Sequence, residues 1–222
     1  MPRLRVRLLG TFEARLDDEP VRAFKYNKVR ALLAYLMVEA KQAHAREVLA
    51  GLLWPQCPEH AARQSLSQAL STLRRAIGDR QADPPFLTAT YQTLQFNPES
   101  DYWLDVVAFQ EHLDACPPGH IEDTCEACRA CLVQAIALYH DDFLADFSIC
   151  DSPDFEAWAR VQRQRLRRYA LDALHVLAAS ALARRAFEEA LPYARRQLAL
   201  DPWRESAHRQ VMRGLALSGQ RN

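Results

Sequence analysis

The chain has 222 residues, is 49% hydrophobic and 25% charged, and carries 28 basic against 28 acidic side chains. This composition predicts a globular protein with a full core, in two domains. The sequence has neither a membrane-spanning apolar run nor a signal-peptide core, so we expect a cytoplasmic protein with no membrane partner. Residues 1–96 hold 14 Lys and Arg against 9 Asp and Glu, and residues 97–222 hold 14 against 19, which predicts that only the first half faces phosphate groups.

The N-terminal half predicts a small β-sheet, then three helices, then a hairpin. Strands are predicted from alternating or extended runs and helices from apolar residues at helical spacing. The predicted elements are strands at 4–9, 11–16 and 21–24, helices at 28–39, 46–54 and 59–78, and a hairpin made of 86–90 and 93–96. The second helix is expected to bury Val48, Leu49, Leu52 and Leu53. This order of elements is that of a winged helix-turn-helix.

The third predicted helix has one apolar stripe, formed by Leu66, Leu70, Leu73 and Ile77. The exposed face opposite this stripe is expected to present amides, hydroxyls and guanidinium groups and no carboxylate. Such groups can hydrogen-bond base edges and phosphates, so the sequence predicts a DNA recognition helix. The alternative is a polar face that only meets water. The candidate contacts are Arg63, Gln64, Ser67, Gln68, Ser71, Thr72, Arg74 and Arg75.

Several segments, in order along the chain, carry a resemblance to a known family. Leu4–Leu9, 28–36, Leu53-Trp54-Pro55 and 70–77 resemble the OmpR/PhoB-type winged helix. In the second half, Leu138–Phe147 is similar to the stretch LY-x-G-D-F-L-x-G-F of the bacterial transcriptional activator domain class, the antibiotic regulatory protein family. Asp141 and Asp146 stand where that family usually has Gly. Further matches lie at 155–158, 198–208 and 217–221.

The resemblance implies a fold that is mainly α with a small β part. Residues 1–97 would be a winged helix-turn-helix that binds DNA, and 98–222 an all-α activator domain with tetratricopeptide-like helices. The family's recognition-helix contacts carry over to the polar residues named above. Arg46, at the start of the second helix, would approach the DNA backbone. Thr90 and Gln92, at a hairpin tip without a basic residue, would make weak or purely polar contacts.

The resemblance also implies partners. They are double-stranded DNA, RNA polymerase or other transcription machinery, and a second copy of the chain on direct-repeat sites. In the family a further helical unit, and often an ATPase, follows the position of residue 222. We therefore expect the chain to be the N-terminal part of a longer, signal-responsive regulator.

Apolar spacing in the second half predicts helices at 102–116, 131–139, 155–182, 187–200 and 205–217. Ala190 and the turn Asp201-Pro202 resemble tetratricopeptide units, whose paired helices stack into a surface for other proteins. The alternative is a helical bundle that only stiffens the protein. Both interpretations stay open, because a stacked array can pack and bind at once.

Four cysteines and a histidine cluster in residues 116–131. Cys116, His120, Cys125 and Cys128 form a Cys3His set that predicts a structural zinc ion, since Cys-x2-Cys is a zinc-ligand spacing. Cys131 is expected to face the core. The alternative is that the cysteines only pack on one face of a helix.

The sequence shows no arrangement of nucleophile, base and acid, and we predict a protein that is not an enzyme. Three functions compete: a DNA-binding activator, a protein-interaction module whose winged helix serves docking, and a coupling module of a signal-transduction ATPase.

Overall fold

The computed structural model describes residues 2–115 and 125–218. These residues form a mainly helical structure with a small β part. Two compact units divide the chain, Met1–Val107 with Asp141–Arg163, and Ala108–His140 with Gln164–Asn222. These two units do not test the predicted domain boundary between residues 97 and 98, because each unit combines two separate segments of the chain. That boundary stays a prediction. None of the described helices is both long and apolar enough to cross a membrane.

The elements of the described residues alternate between short strands and helices in the first half and are helical in the second. In chain order they are β1 (Leu4–Arg7), β2 (Glu13–Leu16), β3 (Glu19–Pro20), α1 (Asn27–Val38), β4 (His44–Ala45), α2 (Arg46–Leu53), α3 (Glu59–Ala76), β5 (Leu87–Ala89), β6 (Thr93–Phe96), β7 (Tyr102–Leu104), α4 (Asp105–Asp114), α5 (Glu126–Leu138), α6 (Pro153–Ala183), α7 (Phe187–Leu200) and α8 (Glu205–Leu217).

A four-stranded sheet in the order β3-β2-β1-β7 begins the first unit. β1 is antiparallel to β2 and parallel to β7. The predicted strand at 21–24 is wrong: the Val21 N–H donates to the carbonyl of Ala14, and the chain then leaves the sheet so that buried Phe24 packs edge-on against Phe12 at 5.5 Å. The third strand is the two-residue β3 instead.

The predicted helix from Tyr102 begins three residues later, at Asp105, because β7 pairs with β1 first. The Asp105 carboxylate accepts the N–H of Val106 at the start of α4 and the N–H groups of Leu8 and Leu9, at 2.8–2.9 Å. Burial raises the pKa of Asp105 to about 6, against the lowering effect of these hydrogen bonds. Asp105 therefore ties the end of β1 to α4.

The helices α1, α2 and α3 pack together beside a second sheet with the order β4-β6-β5. The predicted hairpin is confirmed, with Leu87 opposite Phe96 and Ala89 opposite Leu94. The expectation that Val48 is buried is wrong, because its side chain is 59% exposed. The buried stripe of the short α2 consists of Leu49, Ala50 and Leu53, and Val48 lies outside it.

Residues 141–163 belong to the same compact unit as the N-terminal elements. The indole N–H of Trp158 donates to Glu39 at 2.9 Å, and Lys28 pairs with Asp151 at 2.7 Å. Trp158 also packs on Tyr35, with ring centroids 4.9 Å apart. Residues 151–158, at and just before the start of α6, thus contact both ends of α1.

The second unit consists of helices, and α7 and α8 pack closely against each other. Gly214 of α8 permits this approach, because a Cβ there would lie 3.0 Å from the side chain of Leu191. Two buried amides cross the interface: Gln197 Nε2 donates to Gln210 Oε1 at 2.9 Å, and Gln210 Nε2 donates to the carbonyl of His175 on α6 at 3.0 Å. Such pairing fixes the register of three helices.

Candidate nucleic-acid interface

The helix α3 has one buried and one exposed side, as the sequence predicts. Leu66, Leu70 and Leu73 are at most 6% exposed, with Ala62 and Ala69 beside them. The exposed side chains along the helix are Glu59, His60, Arg63, Gln64, Ser67, Gln68, Ser71 and Arg75. Their amide and guanidinium groups can donate hydrogen bonds to base edges and phosphates.

The N-terminal half of α3 is less basic than expected. The guanidinium of Arg63 pairs with Glu59 at 2.8 Å and with Glu47 of α2. The expectation of a face without carboxylates is therefore wrong at this end. The hydroxyl of Ser67 donates a hydrogen bond to the carbonyl of Arg63 at 3.0 Å. Its oxygen can therefore still accept a hydrogen bond from DNA, but the hydroxyl hydrogen is not available to donate one.

Two of the predicted DNA contacts in the C-terminal half of α3 are not free on its exposed side. Thr72 is only 9% exposed and belongs to the buried side. Arg74 pairs through Nε with the buried carboxylate of Asp79 at 3.2 Å, and Asp79 also accepts the N–H of Leu87 at 2.9 Å. Burial raises the pKa of Asp79, while Leu87 and Arg74 lower it. Arg74 thus serves in part to join the end of α3 to β5.

The same half of α3 borders a cleft of about 420 Å³. Gly78 ends the helix region with a φ of +64°, and a Cβ at this position would lie 2.9 Å from Leu16. The turn brings Arg80 and Gln81 beside the helix, and sequence reasoning missed both because it ended at Gly78. The cleft is lined by Ser67, Leu70, Ser71, Arg74, Arg75, Arg80 and Gln81.

In residues 2–115 and 125–218 neither Arg75 nor Arg80 has an ion-pair partner. Arg75 and Arg80 are both exposed. A guanidinium without a protein partner keeps its five N–H donors for a phosphate or a guanine edge. The cleft is therefore suited to an anionic ligand.

The hairpin tip at 90–93 is closed by its own side chains. Thr90 Oγ1 accepts the N–H groups of Gln92 and Thr93 at 3.2 and 2.9 Å. Arg46 donates through Nε to the carbonyl of Thr90 at 3.0 Å, and its backbone N–H donates to the carbonyl of Gln92. Arg46 is thus part of the support of the tip. Tyr91, which sequence reasoning did not include, is 94% exposed there.

Two of the predicted zinc ligands, Cys116 and His120, lie outside the described residues. Cys125 is exposed at the N-cap of α5, where its sulfur accepts the N–H of Cys128 at 3.4 Å; this hydrogen bond lowers the pKa of the Cys125 thiol. Cys128 and Cys131 are half-buried. Among the described residues, His, Cys, Asp and Glu side chains form no group of three or more that could hold a metal ion. The zinc site stays a prediction.

The model of the family "Bacterial transcriptional activator domain" matches residues 104–222, which is more than half of the chain. The chain belongs to this family. The match includes the motifs at 138–147 and 198–208 that carried the resemblance in the sequence. It begins at the last residue of β7, so α3 and the hairpin lie before the matched part.

Among solved structures, the chain is similar to "Mycobacterium tuberculosis EmbR in complex with low affinity phosphopeptide", with a TM-score of 0.75 and 21% sequence identity. The similarity covers 99% of this chain and 56% of that chain, so this chain spans little more than half of its length. At this identity the two proteins share the fold. The comparison with curated proteins found no match.

Proposed function

We propose that this member of the bacterial transcriptional activator domain family is a sequence-specific DNA-binding regulator, acting as an activator and not as an enzyme. Residues 1–97 would form a winged helix-turn-helix of the OmpR/PhoB type, with α3 in the major groove and the β5–β6 hairpin as the wing. Residues 98–222 would form the activator domain with tetratricopeptide-like helices. The partners would be double-stranded DNA and RNA polymerase or other transcription machinery.

The exposed side of α3 carries this proposal. Gln64, Gln68 and Arg75 are exposed there and can each make two hydrogen bonds to a base edge. The cleft beside Arg75 and Arg80 adds positive charge where a phosphate backbone would pass. Arg63, Thr72 and Arg74 play a smaller part in the proposed contact than the sequence suggested, since ion pairs or burial engage them.

Selection of bound sequences from a random pool of duplex DNA tests sequence-specific binding directly. The alternative function is a docking or coupling module of a signal-transduction ATPase, which the zero net charge and a hairpin tip without a basic residue favour.

A salt titration on the selected site separates DNA binding from this alternative. Phosphate contacts predict a log–log slope of about −0.9 per neutralised phosphate. No enriched sequence and no slope would contradict DNA binding.

We further propose that two molecules bind each site as a head-to-tail pair on direct repeats. A footprint at saturating protein should then cover both half-sites. Protection of a single half-site, with one molecule per duplex by analytical ultracentrifugation, would contradict this arrangement.

Zinc at Cys116, His120, Cys125 and Cys128 is a separate proposal. The lowered pKa of the Cys125 thiol favours the thiolate form that zinc binds. Elemental analysis of protein purified without added metal should find about one zinc per chain, as a four-ligand site requires. Cys125→Ser should remove the metal, and Cys131→Ser, the matched control, should not. Far less than one zinc in the unaltered chain would contradict the site.

A further inference from the structure

The outer face of the four-stranded sheet is rich in arginine. In β1, Leu4 and Val6 are fully buried, while the alternate residues Arg5 and Arg7, and Arg3 just before the strand, are exposed. Because successive side chains of a strand point to opposite faces, the three guanidiniums form one row with a spacing of about 6.8 Å. With Arg15 of β2 and Trp103 of β7 they line a cleft of about 460 Å³. We call this surface the arginine face.

The pairing of the strands on this face includes a like-charge pair. Arg5 lies directly opposite Arg15 on β2 and beside Trp103 on β7, so these three side chains form a line across the sheet. Like charges opposite each other in neighbouring strands are destabilising. Asp18 and Glu13 offset this repulsion through ion pairs with Arg5 and Arg15.

Carboxylates of the chain itself show how the arginine face binds acids. Glu13 uses one oxygen for Arg7, at 3.6 Å, and the other for Arg15, at 3.3 Å. Asp18 pairs with Arg5 at 3.1 Å, and Asp101 with Arg3 at 3.5 Å.

Two of these carboxylates are well exposed, with 73% of the Asp18 side chain and 54% of the Asp101 side chain in solvent, whereas the side chain of Glu13 is 42% exposed. Exposed ion pairs contribute little free energy, so an incoming carboxylate can replace them at small cost. In the described residues, the Nε and Nη2 atoms of Arg5 bond to no protein group and remain available.

We propose that the arginine face binds an extended acidic segment of a partner protein. In an extended segment alternate side chains are also about 6.8 Å apart, so acidic residues at every second position match Arg3, Arg5 and Arg7 one to one. Trp103 supplies an apolar contact at the middle of the row, and Trp and Arg are the residues that contribute most often to protein–protein binding energy. A nucleic-acid strand also carries regularly spaced charges and can stack on Trp103, so a single-stranded oligonucleotide is the competing ligand in the test.

The test uses the whole chain and a fluorescein-labelled peptide with Glu at every second position and Thr between. Its control has the same composition with all Glu residues contiguous. Fluorescence anisotropy at low salt should show binding of the alternating peptide, and Arg5→Glu should weaken it about tenfold or more. Arg160→Glu makes the same charge change on an exposed position of α6 and should leave the affinity unchanged.

Arg5→Glu should fold, because the new carboxylate faces Arg15; its circular dichroism serves as the check. The proposal does not rest on DNA binding, and failure of one leaves the other intact. It is overturned if the alternating peptide does not bind, or if Arg5→Glu binds it as well as the unaltered chain. It is also overturned if the contiguous peptide or a single-stranded oligonucleotide binds equally tightly and loses affinity in the same variant, since the face would then be a general polyanion surface.

Discussion

The two ends of α3 place arginines in opposite electrostatic surroundings. At the N-terminal end Arg63 is held by Glu59 and Glu47. Towards the C-terminal end Arg75 is exposed, and Arg80 joins it from the turn after Gly78. Neither has an ion-pair partner in the described part of the chain. The same residue type on the same helix is therefore committed at one end and available at the other.

This difference has a consequence for the proposed DNA contact. The carboxylates that hold Arg63 are exposed, so breaking these ion pairs costs little, but the carboxylates stay beside the helix and repel DNA phosphates. An unpaired guanidinium only exchanges water and counterions. We therefore expect both affinity and sequence preference to depend mainly on the C-terminal half of α3 and the cleft beside it.

The largest effect is expected from Gln68→Ala combined with Arg75→Ala. Each lost bidentate base contact costs about 1–3 kcal/mol, so the double variant should lose its preference for the selected site. Competition between specific and random duplexes measures the change. The matched control, Arg160→Ala with Gln164→Ala, alters the same residue types on the exposed side of α6. Unchanged discrimination in Gln68→Ala/Arg75→Ala would show that α3 does not read the sequence.

Arg80→Ala should have a smaller and different effect. If Arg80 binds a phosphate, its loss should weaken binding to all sequences about equally and reduce the salt slope by about 1. Titrations of one specific and one random duplex at several salt concentrations separate this outcome from a loss of sequence preference. A slope equal to that of the unaltered chain would exclude Arg80 from the interface.

The sequence predicted the helix, its apolar stripe and the hairpin because these depend on local periodicity. It did not predict that Arg74 is engaged, since its partner Asp79 lies beyond Gly78, where helical spacing no longer applies. Nor could periodicity predict that residues 141–163 pack in the N-terminal unit, because contacts such as Trp158 with Glu39 join residues 119 positions apart. The misassigned start of α4 has the same origin, namely the pairing of β7 with β1 across the whole unit.

Removing the carboxylates tests the committed end of α3. Glu47→Gln with Glu59→Gln should release Arg63 and remove two negative charges beside the DNA, which raises affinity about threefold at low salt and less at high salt. Adding Arg63→Ala should remove the part of the gain that comes from the released guanidinium and leave the part that comes from the lost carboxylate repulsion. Equal affinity of Glu47→Gln/Glu59→Gln and the unaltered chain, with equal thermal stability, would mean that Arg63 lies away from the DNA.

The smallest effect is expected at Thr72. The sequence analysis placed it among the DNA contacts, but in the structure it is only 9% exposed. Thr72→Val keeps the branched shape and the packing but removes the hydroxyl, so DNA affinity should change by less than about twofold, because no base contact is lost. Ser71→Ala, at the exposed neighbouring position, is the matched comparison and should weaken binding more. Thermal melting by circular dichroism would show whether either variant alters the fold. If Thr72→Val instead relaxes sequence preference while its melting temperature is unchanged, the side of α3 that carries Thr72 must face the DNA. The DNA contact would then depend on which side of α3 a residue lies on, and not on which end.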